Sequence, residues 1–564
     1  MKRFFYYSLL ALLPLGLSAQ TQEPELSKTI QVYSEYKPQI SDAVRISVNP
    51  KVYDTLDLQV NLKYNIAPTA LKTDYHLIPL KAVSVKGDKL QELYRGEATL
   101  GLGNYWTGLL SVRYMTERSR LKQSGVELYH LGSLGKVKLA DDSKVPAHYT
   151  TDYVNLYWKR FYDNYTLYAS ATPNYSNVLR YGRETDLALG GKDTTFENKD
   201  IRRNLFGITL NGGIVSTDND ENALRYNTDV RYDFSYANPK NIENLMSISG
   251  GMSQKLERIS LGFDADFDVS MVNFEPQYDS SLTKKMQGVF RVLPYAKVGA
   301  SMWNLRVGIN TTPVFGSENM FKIFPDLVFS YNIPKLHMVP YAKFFGNVAM
   351  HSMKEMLAEN PYVADSVMLR PTINKLCFNI GVDGRLRKLV TYNFDFSVAA
   401  FEDMYFWKSV PQFPTTFAAV YDDGSLMKLH GDLGFLLRKA NVGVNADYYL
   451  WQLTNETNPW HKPIFETTVY SRFTILNPNN NKAKLTVEPQ AYFMLYQGEA
   501  VNDTANISIF DLGFEANYYY SSVLRIFANV NNILGLDNDR YLNYPTQRVN
   551  FLIGLSYSFG GHKE

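Results

Sequence analysis

The chain has 564 residues, 45% hydrophobic and 14% aromatic, with 41 Tyr, 32 Phe, one cysteine and a formal net charge of +2. A lone cysteine, Cys377, excludes an intramolecular disulfide and argues against a thiolate metal site. No basic stripe with interleaved aromatics is present, which argues against a nucleic-acid partner.

At the amino terminus Lys2 and Arg3 precede an apolar run, Phe4 to Leu17, too short to span a bilayer as a helix. It reads as a cleaved secretory signal over residues 1–19, ending after Ser18-Ala19, with no cysteine following to carry a lipid anchor. Residues 20–93 form an extension in which Pro38, Pro50, Pro68 and Pro79 interrupt short extended runs, with neither sustained alternation nor helical period. It reads as a periplasmic tail, a small lumenal plug, or an ordered extension lying under the remainder of the chain.

From about Tyr94 onward the pattern is strand-like. In Leu224 to Tyr236, Arg225, Asn227, Asp229, Arg231 and Asp233 occupy one parity and Tyr226, Val230, Tyr232, Phe234 and Tyr236 the other. In Leu261 to Met271, Leu261, Phe263, Phe267, Val269 and Met271 alternate with Asp264, Asp266, Asp268 and Ser270. Later runs repeat this, with Asp383, Arg385, Asp395, Asp447 and Glu515 on the polar parity, and Cys377 inward opposite Leu376, Phe378 and Ile380. The last run, Val549 to Phe559, sets Val549, Phe551, Ile553, Leu555, Tyr557 and Phe559 against Asn550, Gly554, Ser556 and Ser558. Leu552 breaks that pattern.

Lys or Arg on a lipid-facing surface costs about 2 to 4 kcal/mol at mid-membrane, so confinement of charge to one parity implies a wet lumen inside and lipid outside. The fold class expected is all-β: a transmembrane antiparallel β-barrel over residues 94–564. Roughly 21 strand-like runs fall between Tyr94 and Phe559, so an even count of about 22 is expected, or 16 to 20 if some connections hold hairpins above the membrane. The abundant Tyr and Phe suit aromatic girdles at the membrane interfaces. Tight turns are expected at 162–164, 301–304, 387–389, 438–441 and 521–523. Long outer connections are expected at 182–200, 351–371, 402–424 and 532–548.

The candidate site residues divide in two. Lumen-facing candidates are Asp264, Asp266, Asp268, Arg225, Arg231, Asp383, Arg385, Asp395, Asp447 and Glu515. The row Asp264, Asp266, Asp268 reads either as a cation-attracting strip or as carboxylates neutralised by cations on adjacent strands, with Arg225, Arg231 and Arg385 as candidates. Outer-loop candidates are Tyr405, Phe406 and Trp407, a stacking patch for a flat ligand or simply aromatics packed on the rim. Gly101 to Trp106 is Gly-rich but has no helix to present N–H groups to phosphate, and reads as a tight turn. The eight histidines are widely spaced, and no nucleophile, base and orienting group can be named together, so no enzymatic activity is expected. No cofactor or metal is expected.

The stretch Ala528-Asn529-Val530-Asn531-Asn532-Ile533-Leu534-Gly535, the Tyr541-Leu542-Asn543-Tyr544-Pro545 loop and the closing run to Phe559 resemble the end of TonB-dependent receptors, although here the chain continues to Glu564. The segment Tyr33 to Ala43, with Pro50 and Asp54-Thr55, resembles the start of plugless receptor-like barrels of Bacteroidota. The resemblance implies a bacterial outer-membrane barrel that imports a scarce solute by coupling to a periplasmic energy-coupling protein. It departs from those receptors in the segment before Tyr94, which is shorter than their plug domain. Ser27 to Tyr33 reads either as the short stretch that pairs with the coupling protein or as an ordinary tail. The alternative is a non-transporting barrel that scaffolds surface lipoproteins or periplasmic proteins. In either case outer-membrane lipid is a partner and nucleic acid is not.

Overall fold

A computed structural model describes residues 94–561, apart from 183–200, 275–283, 477–483, 500–503 and a few shorter gaps. The signal at 1–19, the extension at 20–93 and their motifs at Ser27 to Tyr33 and Tyr33 to Ala43 lie outside the described residues.

The alternating runs form one closed sheet of 22 antiparallel strands, each paired with its neighbours in the chain. Closure joins the first strand, Gly96–Gly103, to the last, Asn550–Phe559, from Gly96 opposite Phe559 to Gly103 opposite Leu552. Every strand is thereby paired on both edges, the condition for a sheet to survive in hydrocarbon. Two further short strands, Lys136–Lys138 and Lys144–Pro146, form a separate hairpin within the connection 134–148.

Side-chain parity follows the expectation. On the last strand Phe551, Ile553, Leu555 and Tyr557 are exposed outward, while Leu552, Gly554 and Ser556 are buried inward. The irregular Leu552 finds a lumenal neighbour in Phe527, since both stand against Gly101. Leu376, Phe378 and Ile380 face out and Cys377 is buried. Gly103, at the end of the first strand, has no room for a side chain: a Cβ there would lie 2.1 Å from the Phe551 carbonyl oxygen. The turn it leads into, Asn104–Trp106, is a single 3-10 turn with Tyr105 and Trp106 at positive φ, as a tight turn requires.

The two ends of the barrel differ. The end that holds Gly96 and Phe559 carries short turns, among them 162–164, 257–258, 301–302, 387–389, 437–439 and 520–523. Exposed Tyr114, Trp158, Tyr162, Tyr331, Tyr519 and Tyr557 lie near it, as an interfacial girdle would. The opposite end carries the longer connections 134–148, 350–371, 454–462 and 532–549. Short turns mark the periplasmic end of such barrels and long loops the outer end.

One expected loop is not a loop. The region 402–424 belongs to two long strands, Val390–Val410 (21 residues) and Phe413–Leu436 (24 residues), which stay paired from Phe401 opposite Gly424 to Ser409 opposite Phe417. Aromatic and β-branched residues on both sides sustain the ladder past the roughly 9 to 11 residues a bilayer needs. Acidic residues of this polar stretch sit at a bulge between Phe401 and Met404, where Asp423 Oδ1 accepts the Asp403 N–H at 3.0 Å. Tyr405, Phe406 and Trp407 therefore stand on a strand, not in an outer loop.

The largest apolar core lies at the outer end and inside the barrel. It gathers Val137 and Val145 of the small hairpin, Leu179, Tyr181, Val272, Phe274, Trp407, Phe417, Tyr541 and Tyr544 around Met353, Met356, Leu357, Tyr362 and Val363.

Candidate functional site: a lumenal segment at the outer mouth

The centre of that core is the connection 350–371, which carries the helix α1, Met353–Glu359. Ser352 caps it: its side chain accepts the Glu355 N–H, and the Glu355 carboxylate accepts the Ser352 N–H, a reciprocal capping box. Met353, Met356 and Leu357, spaced i, i+3, i+4, form the buried face.

One wall of the barrel grips the start of α1. Glu243, on the strand Asn241–Leu256, accepts the backbone N–H groups of Met353 (3.0 Å) and Lys354 (3.1 Å), and Ser270 Oγ donates to the same carboxylate at 2.9 Å. A carboxylate there meets the positive end of the helix and satisfies donors the helix cannot use itself. Lys354 Nζ reaches Asp233 at 3.2 Å and Thr209 at 3.1 Å, and Gln287 donates to the His351 carbonyl at 2.9 Å.

A different wall grips the end of α1. The Glu359 carboxylate accepts from Trp407 Nε1 (2.9 Å), Lys462 Nζ (2.9 Å) and the Tyr405 hydroxyl, while Tyr541 OH donates to the Glu359 carbonyl at 2.9 Å. Burial alone would raise the Glu359 pKa, but the Lys462 ammonium and these donors outweigh it and hold the value at about 2. Nearby His461 donates from Nδ1 to the Trp407 carbonyl at 2.7 Å, and burial pushes its pKa down to about 4.

Beyond α1, Tyr362 stacks on Tyr544 with ring centroids 3.5 Å apart, and Tyr181 and Tyr541 meet it edge-on. The backbone makes a short parallel bridge at Val363 to Phe417, with Ala364 N–H donating to the Phe417 carbonyl at 2.7 Å. Asp365 is buried between Arg203 (2.5 Å) and Arg180 (3.0 Å). The segment thus crosses the lumen, tied on one side to strands between Arg202 and Ala300 and on another to strands between Val390 and Leu436.

The sequence-derived candidates do not converge on one place. Two carboxylates of the acidic row are paired, with cations outside the expected set: Asp266 with Arg291, and Asp264 with Arg306 at 3.4 Å, which also holds Asp326 at 2.7 Å, while the expected Arg231 acts electrostatically on the third, Asp268. Asp268 takes its side-chain hydrogen bond from Ser247. Arg231 pairs with Asp233 at 2.5 Å, and Arg225 and Arg385 are exposed near the periplasmic end. The reason is register, since Arg291 stands directly opposite Asp266 on the neighbouring strand. Asp395 accepts from Tyr341 (2.8 Å) and Asn379 (2.7 Å), and Asp447 binds Lys428 (2.9 Å) and His430 (2.8 Å). Asp383 accepts from Asn393, and Glu515 from Asn517 at 2.9 Å.

Tyr405 and Trp407 do belong to the mouth site, through Glu359, whereas Phe406 is buried with Trp460 and Phe401 on the other side of the strand. Glu359, Tyr362, Asp365, Lys462 and Tyr544 were missed. The usable signal was the Ser352–Glu355 capping box ahead of Met353, Met356 and Leu357, inside a stretch of polar, loop-like composition.

A closed 22-strand barrel, apolar outside and charged inside, is an outer-membrane-type transmembrane barrel. Its fold is that of solved outer-membrane receptors and transporters. The FrpB iron transporter from Neisseria meningitidis (F5-1 variant) superposes with a TM-score of 0.62 at 10% identity, covering 83% of each chain. The siderophore receptor PirA from Acinetobacter baumannii gives 0.62 at 9% identity over 84% of this chain and 81% of its own. The copper transporter OprC gives 0.60 at 11% identity over 83% and 80%. At these identities the likeness is one of fold. No family model and no curated protein sequence matches the chain.

Proposed function

We propose that this protein is a solute transporter of the bacterial outer membrane, similar to TonB-dependent receptors, in which the segment 350–371 closes the lumen at its outer mouth. The observation that carries this reading is the segment itself: one folded stretch bonded to opposed walls of a barrel whose fold is shared with an iron transporter, a copper transporter and a siderophore receptor. A 22-strand barrel encloses a lumen wide enough to need a plug. In this reading residues 1–19 are a signal, residues 20–93 are a periplasmic or lumenal extension, and a periplasmic energy-coupling protein supplies the work of opening.

Single-channel conductance in planar bilayers tests it. The full-length protein is expected to be closed, and replacement of 350–371 by a short Gly-Ser linker is expected to open it. If the replaced form stays closed while removal of 20–93 opens the pore, closure belongs to the amino-terminal extension. A barrel closed in every form refutes the transport reading and leaves the scaffold.

A further inference from the structure

The three consecutive periplasmic turns 332–337, 387–389 and 437–439 form one continuous arc of the rim. Arg385 N–H donates to the His337 carbonyl at 2.9 Å and Leu436 N–H to the Leu389 carbonyl at 2.7 Å, so each turn is tied to the next. The arc presents Lys335, Arg387, Lys388, Arg438 and Lys439, all exposed, and its turns contain no carboxylate. Among the described residues, none of these five side chains is engaged in an ion pair or hydrogen bond. Other turns of the same rim carry carboxylates, with exposed Asp163, Asp220 and Glu257 in 162–164, 217–224 and 257–258. The chain as a whole is nearly neutral at +2, so the positive arc is a local concentration.

Leucines are interleaved with these cations. Leu336, Leu386, Leu389 and Leu437 are 58%, 61%, 51% and 53% exposed. Leu386 continues the outward row of Leu376, Phe378 and Ile380. This continuity separates a lipid from a protein partner, because it places Leu386 at the edge of the hydrocarbon belt and the adjoining turn cations Arg387 and Lys388 one step beyond, at head-group depth.

We propose that this arc binds anionic phospholipid of the periplasmic leaflet, the leucines entering the acyl boundary and Lys335, Arg387, Lys388, Arg438 and Lys439 meeting the phosphates. Clustered Lys and Arg beside an apolar surface attract anionic head groups with a strength that adds per cation. The short turns orient the arc toward that leaflet, whether or not the barrel transports anything.

The test uses full-length protein in nanodiscs of phosphatidylcholine doped with phosphatidylglycerol, followed by detergent extraction and native mass spectrometry of retained lipid. Wild type is expected to keep phosphatidylglycerol in preference to phosphatidylcholine. R387Q/K388Q/R438Q/K439Q is expected to lose that retention by about tenfold or more, and R387Q/K388Q or R438Q/K439Q alone to fall between. K159Q/R160Q, on the mixed part of the rim, is expected to match wild type. Heat-modifiable gel mobility confirms that each variant forms the barrel, and the two-site variants carry the test if the fourfold one does not fold. Equal retention by wild type and the arc variants overturns the proposal, as does equal retention of both lipids by wild type, or an equal loss in K159Q/R160Q. Capture of an acidic periplasmic protein by the arc with lipid retention unchanged also overturns it.

Discussion

Glu243 on the barrel wall caps the lumenal helix at Met353, whose N–H it accepts at 3.0 Å, while Ser352 supplies the cap from within the segment itself. The helix therefore has two acceptors for its first turn, one local and one belonging to the wall, and the wall acceptor fixes where the helix sits.

Replacing Glu243 should consequently free the segment more than it unfolds the barrel. Glu243→Ala leaves two buried N–H groups and Ser270 without their acceptor, a loss of about 1 to 3 kcal/mol in local stability. Glu243→Gln keeps one of the two acceptor oxygens and loses the other together with the charge at the helix terminus, for a loss smaller than that of the alanine. Hydrogen exchange of the 353–357 amides should rank the two in that order with barrel amides unchanged; the reverse order, or no acceleration, would show that Ser352 alone positions the helix.

The buried pair of Asp365 with Arg203 is a second anchor. Asp365→Ala leaves Arg203 charged and buried and should cost about 3 to 5 kcal/mol. The double change R203M/D365L should cost clearly less, because it removes both charges together. Thermal unfolding in detergent, with protease cleavage within 350–371 as a local readout, checks both. A double variant no better than the single one would mean that Arg180 or the Asp365 backbone carries the anchoring.

Acid should loosen the mouth in two stages. His461 is lowered from 6.5 to about 4, so the unfolded segment binds the extra proton between those values: its contribution is full above pH 6.5 and lost as the pH falls to 4. His351, also buried and held at about 4, acts in the same window. Glu359, lowered from 4.5 to about 2, contributes fully above 4.5 and is lost on descending to 2. Asp539 opposes this: burial and the charge of Asp537 raise its pKa from 3.8 to about 6, so stability is gained as it protonates on descending through 6. Protease sensitivity of the segment against pH should therefore begin to rise below about 6.5. His461→Gln should shrink the first stage and leave the second, and Asp539→Asn should steepen the first. A profile flat from pH 7 to 4 in the parent protein would refute the histidine assignment.

Side-chain parity can be tested at adjacent positions. Phe267 faces outward against Phe290 and Phe315, and Asp266 faces inward against Arg291. Phe267→Arg should cost about 2 to 4 kcal/mol in the membrane and reduce the heat-modifiable, folded fraction well below that of Asp266→Asn. Equal folded fractions would contradict the orientation of this strand.

The barrel was legible in the sequence because a period of two forces every residue of a strand onto one face or the other, and charge cannot share the lipid face. Phe263 and Asp264 declare their sides without knowledge of their neighbours. The mouth site was not legible, for a physical reason. Glu359 and Asp365 have the composition of a solvated loop, and only the surrounding Lys462, Trp407, Arg203 and Arg180, brought in from elsewhere in the chain, make them buried groups. Cross-barrel partners such as Arg291 for Asp266 depend on register between strands, which alternation within one strand does not encode. At 402–424 the polar composition of the stretch masked a continuing ladder.

The seam between the first and last strands has a consequence for how the molecule is made. Thr99 Oγ1 donates to Ser556 Oγ across a sequence separation of 457 residues. Until the final strand arrives, Gly96–Gly103 presents an unsatisfied edge that hydrocarbon will not tolerate. Synthesis and membrane entry are therefore uncoupled for this chain: almost the whole polypeptide must be carried, unfolded and shielded, across the periplasm before its first strand can find its partner. Loss of the last ten residues of the barrel would leave two open edges at once, Gly96–Gly103 and Leu524–Asn531.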